Sequence, residues 1–336
     1  MKNLLFVSKD LGSGQALAPV IKKLKSDVEK NIIVISSGLS SKLFRDMDID
    51  FIDADIEEFK NFSDLNSDLI ITGASMRESI EKQAISYAKK EEVPCITILD
   101  YWGNYWDRFT VDGNIDQGTL PDFIFVPDRT AKEDMIGEGF PPDKLVITGN
   151  PYFDTFEENK NREREMNPKT ILFISQPEYV DREYRTDLKK VEDIKDIIFR
   201  KDPMARLIIK LHPKESREYY NKIKMSEKVK VCWEEELSSL LKESDIIIGT
   251  DSTAMFESVF IGKSVISYQP ELKGKDLLIT NKLGLSMLAR TKSELDHIVD
   301  KALDGELIKK EINVFRYLND GLCSERVTDF INKITM

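Results

Sequence analysis

The chain has 336 residues, 41% of them hydrophobic and 32% charged, and carries a net charge of −11 at pH 7 with a pI near 5.0. That length favours two cores of roughly 150 residues each. The acidity argues against nucleic acid and anionic membrane surfaces as partners, and no run approaches the ~18 apolar residues of a membrane span.

The opening MKNLLFVSKD has no signal-peptide pattern, so the expected location is cytoplasmic, with peripheral membrane contact only through an acceptor. Cys95, Cys232 and Cys323 are far apart and odd in number, which points to buried free thiols. With His212 and His297 as the only histidines, a His/Cys zinc cluster is set aside.

In the first half, short apolar runs recur at Leu4–Val7, Ile32–Ile35, Leu69–Thr72, Ile96–Leu99, Phe123–Val126 and Leu145–Thr148, with helical patterns between most of them. Such alternation predicts right-handed βαβ units and a parallel sheet covered on both faces. The first turn, Asp10-Leu11-Gly12-Ser13-Gly14-Gln15, precedes a helix predicted over Ala16–Lys25. It fails as a dinucleotide fingerprint, because Leu17 stands at the third glycine position and the second strand ends in Ser36-Ser37 instead of an acidic residue. NAD is therefore not expected. Gly12, Ser13 and Gly14 either face a sugar, phosphate or acceptor or form a plain tight turn.

The strand ending at Leu99 runs into Asp100-Tyr101-Trp102-Gly103-Asn104-Tyr105-Trp106-Asp107-Arg108-Phe109. Ligands of open α/β sheets sit beyond the carboxyl ends of strands, which is where Asp100 falls. Asp100 is the candidate base by that location. Trp102, Asn104 and their aromatic neighbours offer a stacking surface for a sugar or base, the alternative being an aromatic loop packed between domains. Asp48/Asp50 and Asp53/Asp55 resemble a DxD metal motif only in spacing, and their charged surroundings mark solvated surface. No metal is expected.

Thr148-Gly149-Asn150-Pro151-Tyr152-Phe153-Asp154 leads into the most polar stretch of the chain, which marks a boundary. The expected division is a first domain over 1–154, a linker over 155–168, a second domain over 169–320, and a final helix over 321–336 that could brace the first domain. A strand at Ile171–Ser175 restarts the alternation and ends in Ser175-Gln176-Pro177-Glu178-Tyr179, a candidate ligand-facing loop. Arg206–Leu211 ends in Lys210-Leu211-His212-Pro213-Lys214, where an imidazole flanked by ammonium groups suits a phosphate. Val229–Trp233 is a strand and Glu236–Lys242 a short helix.

Asp245–Tyr268 then reads as a buried strand, the turn Gly249-Thr250-Asp251-Ser252-Thr253, a helix, and a second buried strand. A capped helix start is a natural anion seat, and Glu257, one turn on, could accept two hydrogen bonds from a ribose diol. The plainer reading makes these residues an ordinary cap and an exposed carboxylate.

The ITGNP joint, the strand ending in KLHPKE and the segment GTDSTAMFESVFIGKSVI together resemble the GT-B glycosyltransferase superfamily, in particular the CDP-glycerol glycerophosphotransferases, the capsule polysialyltransferases and the MurG-like transferases. The resemblance implies an α/β fold of two Rossmann-like domains facing across a cleft. It implies a metal-independent transfer of a sugar or polyol phosphate from a nucleotide-activated donor, UDP or CMP/CDP, to a glycan or lipid-linked acceptor. By that resemblance His212 would contact the donor phosphates, Ser252 and Thr253 would seat them at the helix start, and Glu257 would hold the ribose; Lys210, Lys214, Gln176, Thr250 and Asp251 complete the expected donor-nucleotide site. No cofactor beyond the donor is implied; a homodimer is left open. The chain departs from the family where DYWGNYW replaces a histidine-bearing acceptor loop. A UDP-N-acetylglucosamine 2-epimerase, which shares the architecture, is the alternative enzyme, and a non-catalytic nucleotide- or glycan-binding protein is the third reading.

Overall fold

The computed structural model describes residues 1–54, 62–76, 78–156, 169–176, 178–180, 183–185, 188–212, 215, 226–252, 254–270, 272–274, 276, 278–306 and 320–335. The chain divides into two compact units, one of residues 1–156 with 312–336 and the other of residues 157–311. Lys214, Thr253, Asp55 and the expected linker from 157 onward lie outside the described residues.

The first unit holds seven parallel strands, β1 (Lys2–Ser8), β2 (Lys30–Ser36), β3 (Ile52–Asp53), β4 (Leu69–Thr72), β5 (Cys95–Ile98), β6 (Phe123–Val126) and β7 (Leu145–Ile147), in the order β3-β2-β1-β4-β5-β6-β7. Leu4 to Val7 in the interior strand β1 are wholly buried. An unbroken apolar run is what a strand covered on both faces requires. The helices α1 (Leu11–Leu24), α2 (Gly38–Asp46), α3 (Ile80–Lys90) and α4 (Arg129–Gly137) cross between strands.

The chain returns to this unit at its end. Val327 and Ile331 of the terminal helix Cys323–Thr335 enter the core, and the Phe330 ring meets Phe123 and Phe125 edge-on at 4.9 and 5.0 Å. The start of that helix is fixed by the GNP joint. The Asp154 carboxylate accepts from the N–H groups of Cys323 (3.1 Å) and Ser324 (2.6 Å), an acid placed where unpaired amides and the helix dipole favour one. Arg326 Nε donates to Thr148 O at 2.7 Å. Gly149 has φ +83°, and a Cβ there would lie 2.3 Å from Cys323 Sγ, so a larger residue is barred on both counts.

The second unit repeats the plan. Its strands are β8 (Thr170–Ile174), the antiparallel hairpin β9 (Glu178–Val180) and β10 (Glu183–Arg185), then β11 (Arg206–Lys210), β12 (Val229–Cys232), β13 (Ile246–Gly249), β14 (Ser264–Tyr268) and β15 (Met287–Ala289). The six-stranded parallel sheet runs β12-β11-β8-β13-β14-β15. Helices α5 (Leu188–Lys201), α6 (Leu237–Glu243), α7 (Ala254–Phe260), α8 (Ile279–Lys282) and α9 (Lys292–Leu303) accompany it. In each sheet the strand order reverses beside the first strand of the unit, at β1/β4 and at β8/β13, and a doubly wound sheet opens its binding crevice at such a point.

Two local expectations are corrected. Residues 12–14 are not a loop: α1 starts at Leu11, because Gly14 N–H already donates to Asp10 O (3.0 Å) and Ser40 Oγ ties the same carbonyl (2.6 Å). The segment after Gln176 is not an open loop either, since from Glu178 its backbone enters the β9–β10 hairpin.

Candidate functional site

Beyond β1, β4 and β5 of the first unit, polar side chains converge. Arg108 is only 7% exposed. Its Nη1 donates to Asp100 Oδ1 (2.8 Å) and Ala74 O (2.6 Å), and its Nε to Gly103 O (3.3 Å). A guanidinium satisfied on carbonyls and a carboxylate is how an arginine survives burial. Asn150 of the GNP joint donates from Nδ2 to Asp100 O at 3.0 Å. Burial pushes the Asp100 carboxyl above the usual aspartate range, and nearby Asp10 adds to the effect while Arg108 opposes it.

Beside this pair lies Glu81, 1% exposed on α3. Its Oε1 accepts from Ser75 Oγ (2.6 Å), Lys9 N (2.8 Å) and Ser13 Oγ (3.3 Å), so one oxygen joins the ends of β1 and β4 to the first turn of α1. Ser13 Oγ also meets Ala74 N at 2.9 Å, within the peptide segment that Arg108 grips from its carbonyl. Burial pushes the Glu81 carboxyl up, against hydrogen bonding from Ser75. Glu81 and Arg108 were not anticipated. A signal for Glu81 existed: with Ala84, Ile85 and Ala88 it sits at i, i+3, i+4 and i+7, the buried stripe of α3.

The aromatic run does not form a stacking surface. Trp102 is 3% exposed, with its ring stacked on Phe153 at 6.2 Å, and Trp106 stacks on Phe140 at 4.0 Å while donating from Nε1 to Glu138 O. Tyr105 and Phe109 pack edge-on to the same Phe140. The rings are covered by Phe140 and Phe153, and packing of ring on ring is what large aromatic side chains gain from burial. Asn104 remains exposed in the left-handed region at φ +51°.

In the second unit the ends of β8 and β11 come together through Glu215, which is 7% exposed. Its Oε1 accepts from Ser175 Oγ (2.8 Å) and its Oε2 from His212 N (2.7 Å). His212 is thereby held by its backbone, half-buried at the strand end. Gln176 Oε1 accepts from Asp251 N at 3.4 Å, bringing two of the expected residues into contact. Burial raises the Asp251 carboxyl, with Gln176 opposing and Asp276 reinforcing. Thr250 O accepts from Ser267 Oγ at 2.5 Å. Ser252 Oγ is buried with no hydrogen-bond partner among the described residues. Glu257 is half-buried in the first turn of α7. Lys210 turns its ammonium to Trp233 O (2.6 Å), where it fixes the loop after β12.

Among the described residues no group of three or more His, Cys, Asp or Glu side chains could hold a metal ion, and no helix is long and apolar enough to cross a membrane.

Two doubly wound parallel sheets with polar residues gathered at their switch points define a GT-B-like α/β protein. The sequence model of the UDP-N-acetylglucosamine 2-epimerase family matches residues 117–332, and the chain belongs to that family. Its fold is similar to the UDP-GlcNAc 2-epimerase of Neisseria meningitidis solved with UDP-GlcNAc (17% identity, 98% of this chain and 100% of that one, TM-score 0.72). It is also similar to the Methanocaldococcus jannaschii UDP-GlcNAc 2-epimerase in complex with UDP-GlcNAc and UDP (17%, 98% and 99%, 0.71) and to the glycosyltransferase of kitacinnamycin (12%, 99% and 98%, 0.67). At such identities the likeness establishes the fold alone. Among curated proteins no sequence matches. The glycosyltransferase expectation is therefore overturned in favour of its alternative: the fold is common to transferases and epimerases, and the family match separates them.

Proposed function

We propose that the chain is an enzyme that inverts carbon 2 of UDP-N-acetylglucosamine. The carrying observation is the family match over residues 117–332, which takes in the aromatic segment's partner Phe140, the GNP joint and the β11 and β13 ends. Inversion requires the C2–H bond to break and a proton to return on the opposite face. That hydrogen becomes acidic only as the C1–O bond to the diphosphate breaks, so the C2–H electrons form a C1=C2 bond while the C1–O pair departs with UDP; on return the C1=C2 pair takes a proton at C2 from the opposite face while a UDP oxygen, or water, bonds to C1.

A carboxyl that shuttles a proton works best when its pKa is raised toward neutrality. Asp100, pushed up by burial and oriented by Arg108, has that character and is assigned the proton at C2. His212, Gln176, Thr250, Asp251 and Ser252 are assigned to the diphosphate and Glu257 to the ribose. Donors prearranged around a leaving diphosphate stabilise the charge it gains.

Incubation with UDP-GlcNAc, followed by proton NMR, tests the reading. Appearance of UDP-ManNAc, or of ManNAc with UDP, is expected. Unchanged UDP-GlcNAc after prolonged incubation with enzyme shown to bind UDP would overturn it.

A further inference from the structure

Asp100 does not hold its place unaided. Its Oδ1 is clamped by Arg108 at 2.8 Å. Its Oδ2 lies against the first turn of α1, so close that a Cβ built on Gly12 would sit 2.0 Å from it and 3.1 Å from Cγ. Gly12 has no need of glycine for its own conformation, since it lies in an ordinary helix. Glycine costs a helix stability relative to alanine, and here the lost side chain makes room for a carboxylate oxygen.

We propose that Arg108 and Gly12 are positioning residues for Asp100: the guanidinium fixes one carboxylate oxygen, and the absent side chain leaves the other seated at the start of α1. The pair sets both the direction of the carboxylate and the charge it faces. Ala74 O and Gly103 O hold the guanidinium from two further sides, so Arg108 cannot follow Asp100 if the carboxylate moves. The kinetic consequences rest on the epimerase reading; the geometry does not.

Two experiments test this. In the first, Arg108→Met lowers kcat for UDP-GlcNAc by about 10²-fold, the cost of misplacing a reacting group by an ångström, with KM changed by less than about threefold. It also moves the acid limb of the pH profile to higher pH, because a cation that favoured the carboxylate is gone. Arg108→Lys returns the limb toward its wild-type position while restoring kcat only in part. A purely structural role would lower the Tm and leave the limb in place, and that result would overturn the assignment. The second needs no turnover and survives an Arg108 variant that fails to fold. Gly12→Ala lowers the Tm of the wild-type chain by roughly 2–4 °C, but in an Asp100→Ala background, where the nearest Asp100 atom left is Cβ at 3.7 Å, it leaves the Tm unchanged or raises it. Equal Tm losses in both backgrounds would overturn the proposal. A folded chain with no action on UDP-GlcNAc would overturn the epimerase reading, and the Tm cycle would still decide the geometry.

Discussion

Beyond β1, β4 and β5 of the first unit, Arg108 bonds Asp100 and Glu81 bonds Ser13 and Ser75, side chain to side chain, with Ala74 backbone between the two groups, and burial opposes the ionisation of both carboxyls. Beyond β8, β11 and β13 of the second, Glu215 and Gln176 spend their oxygens on a hydroxyl and on backbone amides, which holds the strand ends in place. The strand order around the two switch points is the same. What differs is the company the groups keep: in one unit two buried carboxyls bonded to serines and an arginine, and in the other a raised carboxyl, Asp251, with an imidazole and a buried hydroxyl. A shared fold therefore fixes where chemistry can occur, and the side chains decide which chemistry.

The contrast can be broken most severely at Asp100. Asp100→Asn removes the proton carrier while keeping its shape, and kcat is expected to fall about 10²–10⁴-fold, with UDP affinity by calorimetry unchanged. Equal losses in kcat and in UDP affinity would merge the two roles. Next in size is Glu215→Ala. It removes the carboxylate that accepts from the Ser175 hydroxyl and the His212 amide, and chemical denaturation should show a loss of about 1–3 kcal/mol, together with weaker UDP binding. His212→Ala should weaken UDP binding by about 1–3 kcal/mol while leaving the unfolding midpoint near wild type. Wild-type affinity in that variant would remove the anion-holding role from the second unit.

The smallest effect concerns Glu81. Burial raises its folded-state pKa, so the folded chain binds that proton more tightly than the unfolded chain does. Its contribution to stability is fully present below the ordinary glutamate value of 4.5 and is lost as pH rises through the raised folded value. Asp100 and Asp251 shift in the same direction, so the test is a difference. Between about pH 5 and 8, stability of Glu81→Gln should fall less with pH than that of the wild type; parallel curves would show that Glu81 stays ionised.

Much of this arrangement could be read from residue order. Apolar runs bounded by turn residues gave Leu69–Thr72 and Phe123–Val126 to the residue, because buried parallel strands carry no polar interruption. The placement of Asp100 at a strand end was legible for the same reason. The start of α1 was not, since Gly12 and Gly14 read as loop when their glycines answer to Asp100 Oδ2 and Ser40 Oγ, atoms 88 and 26 positions away. Trp102 and Trp106 read as a ligand surface because composition does not reveal that Phe140 and Phe153 will cover them. Transferase and epimerase share the same strand pattern, so the choice between them depended on the match to the epimerase family and not on any single motif.

The claim on which the rest depends is proton exchange at carbon 2, and turnover in deuterium oxide observes it directly. Wild-type enzyme should place one deuterium at C2 of recovered substrate or product, and Asp100→Asn should place almost none. Full wild-type turnover of UDP-GlcNAc with hydrogen retained at C2 would contradict the account.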